Sequence, residues 1–452
     1  MAAIAAASYK LVEDYEKKPG EKKNIIVCFD GTGGEPEWAV QGDGPVPLYE
    51  SRGGLSNVCK LHLLAGGNID NSNASEEGQL PLYYKGVGTW TAGFWGLVKS
   101  AFGAGAMHDI YLKAYADIEK IHQEGDQIFI FGFSRGAATA RLFASYLDHK
   151  NINGVVPEVA LLGVFDTVVQ SSDVGENEDA KNVDTEGKDS SLPKCVKKAI
   201  HLVSLDELRE PFKPTLFNED ERVTEVWCPG NHSDVGGGYY HDGLSDICLE
   251  VMLFEAALAG MKHRELTPEL CSGENNFSLV GANLAMSGFV NFDKDMSINR
   301  DMKVNALEPD IHDECSWPYK IANMQKGFNG RKVRVMKDDN EVKGKDVLVL
   351  NSTITRINEW EEKIPYWFQV APYFKSTRGT CRYSPQNLKN VPIKVMAFDK
   401  EKGIYESPNK SRGGLNLDEG STASSSKALL IGGLCAVIAF LLAEKIDIGG
   451  GA

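Results

Sequence analysis

Ile128-Phe129-Ile130-Phe131-Gly132-Phe133-Ser134-Arg135-Gly136-Ala137-Ala138 is a run of β-branched and aromatic residues that ends in Gly-x-Ser-x-Gly and continues in small residues. The pattern predicts a strand, a sharp turn and a helix, with a serine at the turn: a nucleophile elbow. Ser134 must sit in a strained bend for its hydroxyl to stand clear of a sheet. Gly132 and Gly136 carry no side chain where strand and helix cross closely. The next backbone N–H, from Arg135, then points to where an oxyanion would develop. A chance Gly-x-Ser-x-Gly is common in a chain with 46 glycines. The apolar run before it and the small-residue helix after it supply the context that a chance match lacks.

Working outward, Asn24–Phe29 reads as a buried strand ending at Asp30-Gly31-Thr32. Asn57–Leu64 reads as a helix and Leu82–Thr89 as a strand running into a glycine turn. His108–His122 is a helix that leads into the elbow strand. Ala160–Phe165 is a strand ending at Asp166. Ala199–Leu205 is another, followed by Asp206-Glu207. Glu225–Cys228 runs into Pro229-Gly230-Asn231-His232-Ser233-Asp234, and Leu244–Leu258 is a helix. Strands that alternate with helices and end in polar or glycine-rich turns indicate an α/β fold with a mainly parallel sheet of the α/β-hydrolase type. Trp90–Met107 is apolar and Gly-rich; it reads as a buried loop and helix start, with a lid or acyl-chain wall as the functional alternative. Asp173–Ser190 is acidic, nearly without apolar residues, and reads as a mobile surface loop.

The expected domains are an N-terminal extension over 1–22, a catalytic domain over 23–263 and a C-terminal subdomain or cap over 264–405. Within the last, Lys332–Met336 and Lys345–Leu350 suggest a hairpin around Asp338-Asp339-Asn340. Residues 406–427, rich in Ser, Gly and Asn, read as a flexible linker. Ala428–Ala443 carries no charge and has no polar face. As a helix it would span about 24 Å against a hydrocarbon core of about 30 Å, a mismatch that Lys427 and Lys445 can relieve by snorkelling. It reads as a C-terminal transmembrane anchor.

Composition narrows the function. A net charge of −15 argues against a nucleic-acid partner. The nine cysteines form no Cys-x-x-Cys pair and suit a reducing compartment; Cys28 and Cys228 lie in apolar runs, as buried free thiols do. The N-terminal Met1–Ala7 lacks a basic n-region, so a signal peptide is not expected, and the catalytic domain is placed on the cytosolic side of an intracellular membrane.

A serine nucleophile needs a base and an acid that orients it. In the chain order Ser, Asp, His, the candidates after Ser134 are Asp166 at a strand end and His232 on a glycine-flanked loop. His201 lies inside a strand, His241 follows the glycine turn, and His108, His122 and His149 sit on helices or their ends; these are weaker. Asp30 and Asp234 are further carboxylates near the site, able to serve as the acid or merely to cap a turn. The N–H of Gly31 is the best source of a second oxyanion donor beside Arg135. No ligand spacing suggests a metal, and no cofactor is expected.

Cys-Phe-Asp-Gly-Thr, Ser-Asn-Val-Cys-Lys-Leu, Gly-Val-Gly-Thr, Phe-Gly-Phe-Ser-Arg-Gly-Ala, Gly-Val-Phe-Asp-Thr-Val and Pro-Gly-Asn-His-Ser-Asp-Val-Gly-Gly-Gly-Tyr occur in this order between Lys23 and Met252. The set resembles the α/β-hydrolase-like domain family that includes bacterial type VI secretion phospholipase effectors. The resemblance implies a Ser–Asp–His triad, falling on Ser134, Asp166 and His232, and phospholipase A activity on glycerophospholipids in the effectors. The expected enzyme is a serine hydrolase that cleaves lipid esters through an acyl-enzyme. A thioesterase or small-ester hydrolase, and an inactive membrane-anchored scaffold, are the alternatives. Oligomeric state, acyl chain and head group are not legible.

Overall fold

The computed structural model describes residues 9–18, 20–32, 52–68, 70–74, 76–86, 104–169, 183–184, 191–239, 243–264, 330–359, 361–362, 381–382 and 385–407. All of them lie in the first of the two units into which the chain divides, Met1–Gly414 and Leu415–Ala452. The anchor segment 428–443, the linker after residue 407 and most of Trp90–Met107 fall outside the described residues.

Among the described residues nine strands form one sheet: β1 (Asn24–Phe29), β2 (Gln79–Tyr84), β3 (Gln127–Phe133), β4 (Glu158–Phe165), β5 (Ala199–Ser204), β6 (Val223–Cys228), β7 (Val347–Leu350), β8 (Ile393–Asp399) and β9 (Gly403–Glu406). Their order across the sheet is β9-β8-β7-β6-β5-β4-β3-β1-β2. All neighbours pair in parallel except β8 and β9. This is an α/β fold on a mostly parallel, mixed sheet.

Alternation along the strands explains why they read as unbroken apolar runs. Ile26, Cys28, Phe129, Phe131 and Leu161 face one core. Ile25, Val27, Phe29, Ile128, Ile130 and Leu162 face the other. A sheet covered on both faces has no polar side to show. The first core includes apolar residues of helices α2 (Asn57–Leu64) and α6 (Gly243–Leu258). The second includes those of α3 (Ala104–Ile121) and α4 (Arg135–His149). Fully burying one such aliphatic or aromatic side chain stabilises the fold by roughly 1.5–3 kcal/mol. Cys28 and Cys228 are buried free thiols within these layers. A four-residue helix, α1 (Lys10–Glu13), lies in the segment expected as an extension, with Val12 buried in the second core.

After β1 the chain passes to β2 on one side and then returns to β3 on the other. That reversal opens a crevice at the carboxyl ends of β1 and β3, where open α/β sheets bind their ligands. Register brings the ends together: Phe29 pairs with Gly132, Phe133 with Phe165, and Phe165 with Leu202. Asp30, Ser134 and Asp166 therefore leave adjacent strands on the same edge.

The sheet does not stop at the boundary expected near residue 263. Val347–Leu350 inserts in parallel between β6 and β8, with Leu348 opposite Val226 and Val349 opposite Trp227. The expected hairpin is correspondingly smaller. Met336–Lys337 pairs with Asn340–Glu341 around Asp338 and Asp339, both at positive φ, and β7 belongs to the main sheet. The acidic stretch expected as a surface loop also differs where it is described: Val183 and Asp184 are buried, and Asp184 receives Nε and Nη2 of the buried Arg141, each at 2.7 Å.

Candidate active site

Ser134 stands between β3 and α4 with φ 57° and ψ −123°. A left-handed φ at a non-glycine residue stores strain on the order of 1–3 kcal/mol, which the surrounding structure must hold. What holds it is backbone. The Ser134 N–H donates to the Phe165 carbonyl (3.0 Å), and the Ser134 carbonyl accepts from Ala137, Ala138 and Val168. A Cβ at Gly132 would lie 2.4 Å from the Gly136 carbonyl oxygen, and one at Gly136 would lie 2.2 Å from that of Phe29. Both glycines are dictated by this close approach. Arg135 opens α4, in the turn whose N–H groups have no carbonyl within the helix to receive them.

Asp166 follows β4, fully buried and also at positive φ, 42°. Its Oδ2 lies 2.5 Å from His232 Nδ1. Its Oδ1 accepts the Ser204 N–H at 2.9 Å. Arg331 closes the carboxylate from the far side, with Nη1 2.5 Å from Oδ1 and Nη2 2.8 Å from Oδ2. Burial by itself would raise this carboxyl. The Arg331 charge, together with hydrogen bonds from His232 and Arg331, outweighs burial and holds it well below the usual carboxylate range.

His232 is not on a loop. It is the first residue of a short helix, α5 (His232–Gly236), capped by Asn231. The Asn231 side chain accepts the N–H groups of Ser233 and Asp234, and the Asp234 carboxylate returns to the Asn231 N–H at 2.9 Å, a reciprocal capping box. Asp234 thus holds a helix end, and the imidazole is held by Asp166. The Phe133 ring lies 4.7 Å from the imidazole, and that of Phe212 meets it edge-on at 5.0 Å. Because Phe133 precedes Ser134, the first of these contacts sets the imidazole against the elbow itself. The His232 N–H reaches Glu207 Oε2 at 3.3 Å, and Arg209 pairs with that carboxylate.

Asp30 is buried under the elbow and accepts from Tyr83 Oη, Ser56 Oγ (2.7 Å) and its neighbour's N–H. That last donor is Gly31, 2.6 Å from Asp30 Oδ1. The expected oxyanion donor is therefore engaged with a carboxylate in this structure. His201, in β5, takes the Thr167 N–H on Nε2 (3.0 Å) and lies 2.8 Å from Glu225 through Nδ1, so it braces the turn after Asp166. Among the described residues no cluster of three or more His, Cys, Asp or Glu is arranged to hold a metal.

Sequence reasoning assigned no role to Arg331, Glu207 or Arg209. Arg331 lies 165 residues beyond the carboxylate it holds, in a segment without a local motif. The Asn231–Asp234 box was readable in principle from its three-residue spacing.

With this geometry in place, comparison with known proteins identifies the family. Residues 23–155 and 148–255 match the family described as "T6SS, Phospholipase effector Tle1-like, catalytic domain". The chain belongs to that family. An uncharacterized protein of Saccharomyces cerevisiae, YEL023C, is 32% identical over 145 residues, a stretch that covers 29% of this chain and 18% of the yeast protein. A crystal structure of an uncharacterized protein from Pseudomonas aeruginosa aligns at 22% identity and TM-score 0.38 over 59% of this chain and 48% of that one. The Tle1 effector bound to the VgrG spike of the type 6 secretion system aligns at 22% identity and TM-score 0.33 over 52% of this chain and 56% of that one.

Proposed function

We propose that the protein is a serine hydrolase of the α/β-hydrolase type that cleaves carboxylic esters of lipids, with Ser134, Asp166 and His232 as its triad. The observation that carries the proposal is the buried 2.5 Å contact between Asp166 and His232 Nδ1, beside a serine in a strained strand-to-helix turn. With Nδ1 directed at the carboxylate, Nε2 remains to take the Ser134 proton as the hydroxyl attacks the ester carbonyl, and later to deliver it to the leaving alcohol. Asp166 stays ionised and stabilises the imidazolium. The Arg135 N–H holds the oxyanion, and Gly31 can join it only by giving up its bond to Asp30. Membership of a phospholipase effector family supports a glycerophospholipid as the substrate.

Replacing Ser134 by Ala should abolish both covalent labelling by a fluorophosphonate and release of fatty acid from phosphatidylcholine vesicles, with the thermal transition preserved. Undiminished labelling of the folded variant would remove Ser134 as the nucleophile. We further propose that Ala428–Ala443 anchors the chain in an intracellular membrane with the hydrolase on the cytosolic side. An anchor would keep membrane lipid at high effective concentration near the site. Persistence of a chain ending at Gly414 in carbonate-washed membranes would count against it.

A further inference from the structure

We infer that Arg331 is a positioning residue for the triad: it fixes the Asp166 carboxylate in the plane that receives His232 and neutralises the charge that faces the imidazole. The inference rests on the triad proposed above and extends it to a residue outside the matched family region, which ends at 255.

The geometry is specific. Each terminal nitrogen of Arg331 serves two acceptors. Nη1 reaches Asp166 Oδ1 (2.5 Å) and the Ser204 carbonyl (2.8 Å); Nη2 reaches Asp166 Oδ2 (2.8 Å) and the Phe212 carbonyl (2.5 Å). Only a planar fork makes the paired contact with both carboxylate oxygens. With the Ser204 N–H on Oδ1 and His232 on Oδ2, each oxygen has two donors. The carboxylate cannot rotate without losing several of them. Through Phe212, Arg331 also fixes the backbone of the ring that packs edge-on against the imidazole.

The charge matters as well. Among the described residues, the charged groups around the imidazole are Asp166 after β4, Glu207 and Arg209 in the segment after β5, Asp234 on its own helix, and Arg331. Glu207 is matched by Arg209, and Asp234 is held by backbone N–H. Arg331 is what neutralises Asp166. Both side chains are fully buried, so water screens neither. Without the guanidinium, the carboxylate would act on the imidazole alone and favour its protonated form, which cannot serve as base.

The test is the rate of fluorophosphonate inactivation of the full-length protein against pH, for the native protein, R331Q and R331K. For R331Q the acid limb of the profile should move up by roughly one pH unit and the plateau should fall at least about tenfold. R331K keeps the charge and loses the fork, so its limb should stay with the native one while its plateau falls. A coincident limb in R331Q would overturn the inference, because a merely structural arginine lowers the plateau without moving the limb. If R331Q does not melt cooperatively, R331A with and without added guanidinium ion decides: a limb raised without the ion that returns toward the native position with it supports the inference, and a limb that stays at the native position without the ion overturns it. Absence of labelling in the native protein, or its persistence in Ser134→Ala, would instead defeat the triad itself, and the inference with it.

Discussion

Asp30 sits two strands from Asp166, as deeply buried, with the opposite electrostatic outcome. Among the described residues no cation is paired with it. Burial raises its carboxyl to about 6, and hydrogen bonds from Tyr83, Ser56 and Gly31 pull it back only in part. Between the ordinary carboxylate range near 4 and this value, the unfolded chain releases the proton before the folded one does. The folded state then binds more protons, so this residue's contribution to stability is full below about pH 4 and is lost as pH rises through about 6. Asp30→Asn should remove that loss. Relative to the native protein it should gain on the order of 2–3 kcal/mol between pH 4 and pH 7 in urea melts, the equivalent of about two pKa units. Equal pH dependence in the two proteins would show that Asp30 is not charged and buried at neutral pH. The same two residues show what sequence can reveal of a site. The strand-end positions of Ser134 and Asp166 are readable from local context, whereas His232, expected on a glycine-flanked loop, opens a helix instead. The difference between Asp30 and Asp166 is not readable, because it depends on Arg331, which no local pattern marks.

At the scale of elements, the elbow is a packing problem solved by absence of side chains. Gly136 brings α4 against the end of β1, where an added Cβ would lie 2.2 Å and 2.3 Å from the carbonyl oxygens of Phe29 and Asp30. Those atoms are backbone in the interior of the sheet and cannot turn aside. Gly136→Ala must push α4 outward and tilt the serine, at about 1–3 kcal/mol for overpacking. Ser134 labelling should fall by more than the change in stability accounts for, since the shift acts on the strained bend. A variant with a lowered melting temperature and unchanged labelling would separate the helix contact from the nucleophile geometry. Elements whose pattern is local matched the expectation: β1 and α2 have the predicted limits. Elements fixed by distant partners did not. β2 begins at Gln79, before the expected Leu82, because Pro81 interrupts the sequence pattern yet is tolerated on a strand that, among the described residues, has a neighbour on one side only. β7 is a four-residue Val-Leu-Val-Leu run, too short to declare whether it pairs with its sequence neighbour or inserts beside β6.

At the scale of the whole molecule, the residues after the family match complete the sheet that the match begins. β7 covers the edge of β6, where Val226 and Trp227 are buried, and β8 and β9 extend the sheet beyond it. Leu350 and Met396 belong to the same core as α6. The Phe254 and Phe398 rings lie 6.1 Å apart, and the Glu255 carboxylate accepts the Ile404 N–H at 2.5 Å. A chain ending at residue 263 would expose a strand edge and apolar surface, and would leave Asp166 as a buried carboxylate without its guanidinium. Removing one partner of a buried ion pair costs about 3–5 kcal/mol, a large part of the 5–15 kcal/mol that holds a typical domain. Unpaired edges promote aggregation. Expression of residues 1–263 should therefore yield aggregate, or a product with no cooperative thermal transition and no fluorophosphonate labelling. Residues 1–414 should melt cooperatively and label. A soluble 1–263 chain that melts cooperatively and labels at the rate of 1–414 would show that the segment after 263 is a separable subdomain, as its irregular sequence suggests, and that neither the added strands nor Arg331 is needed for the elbow to form.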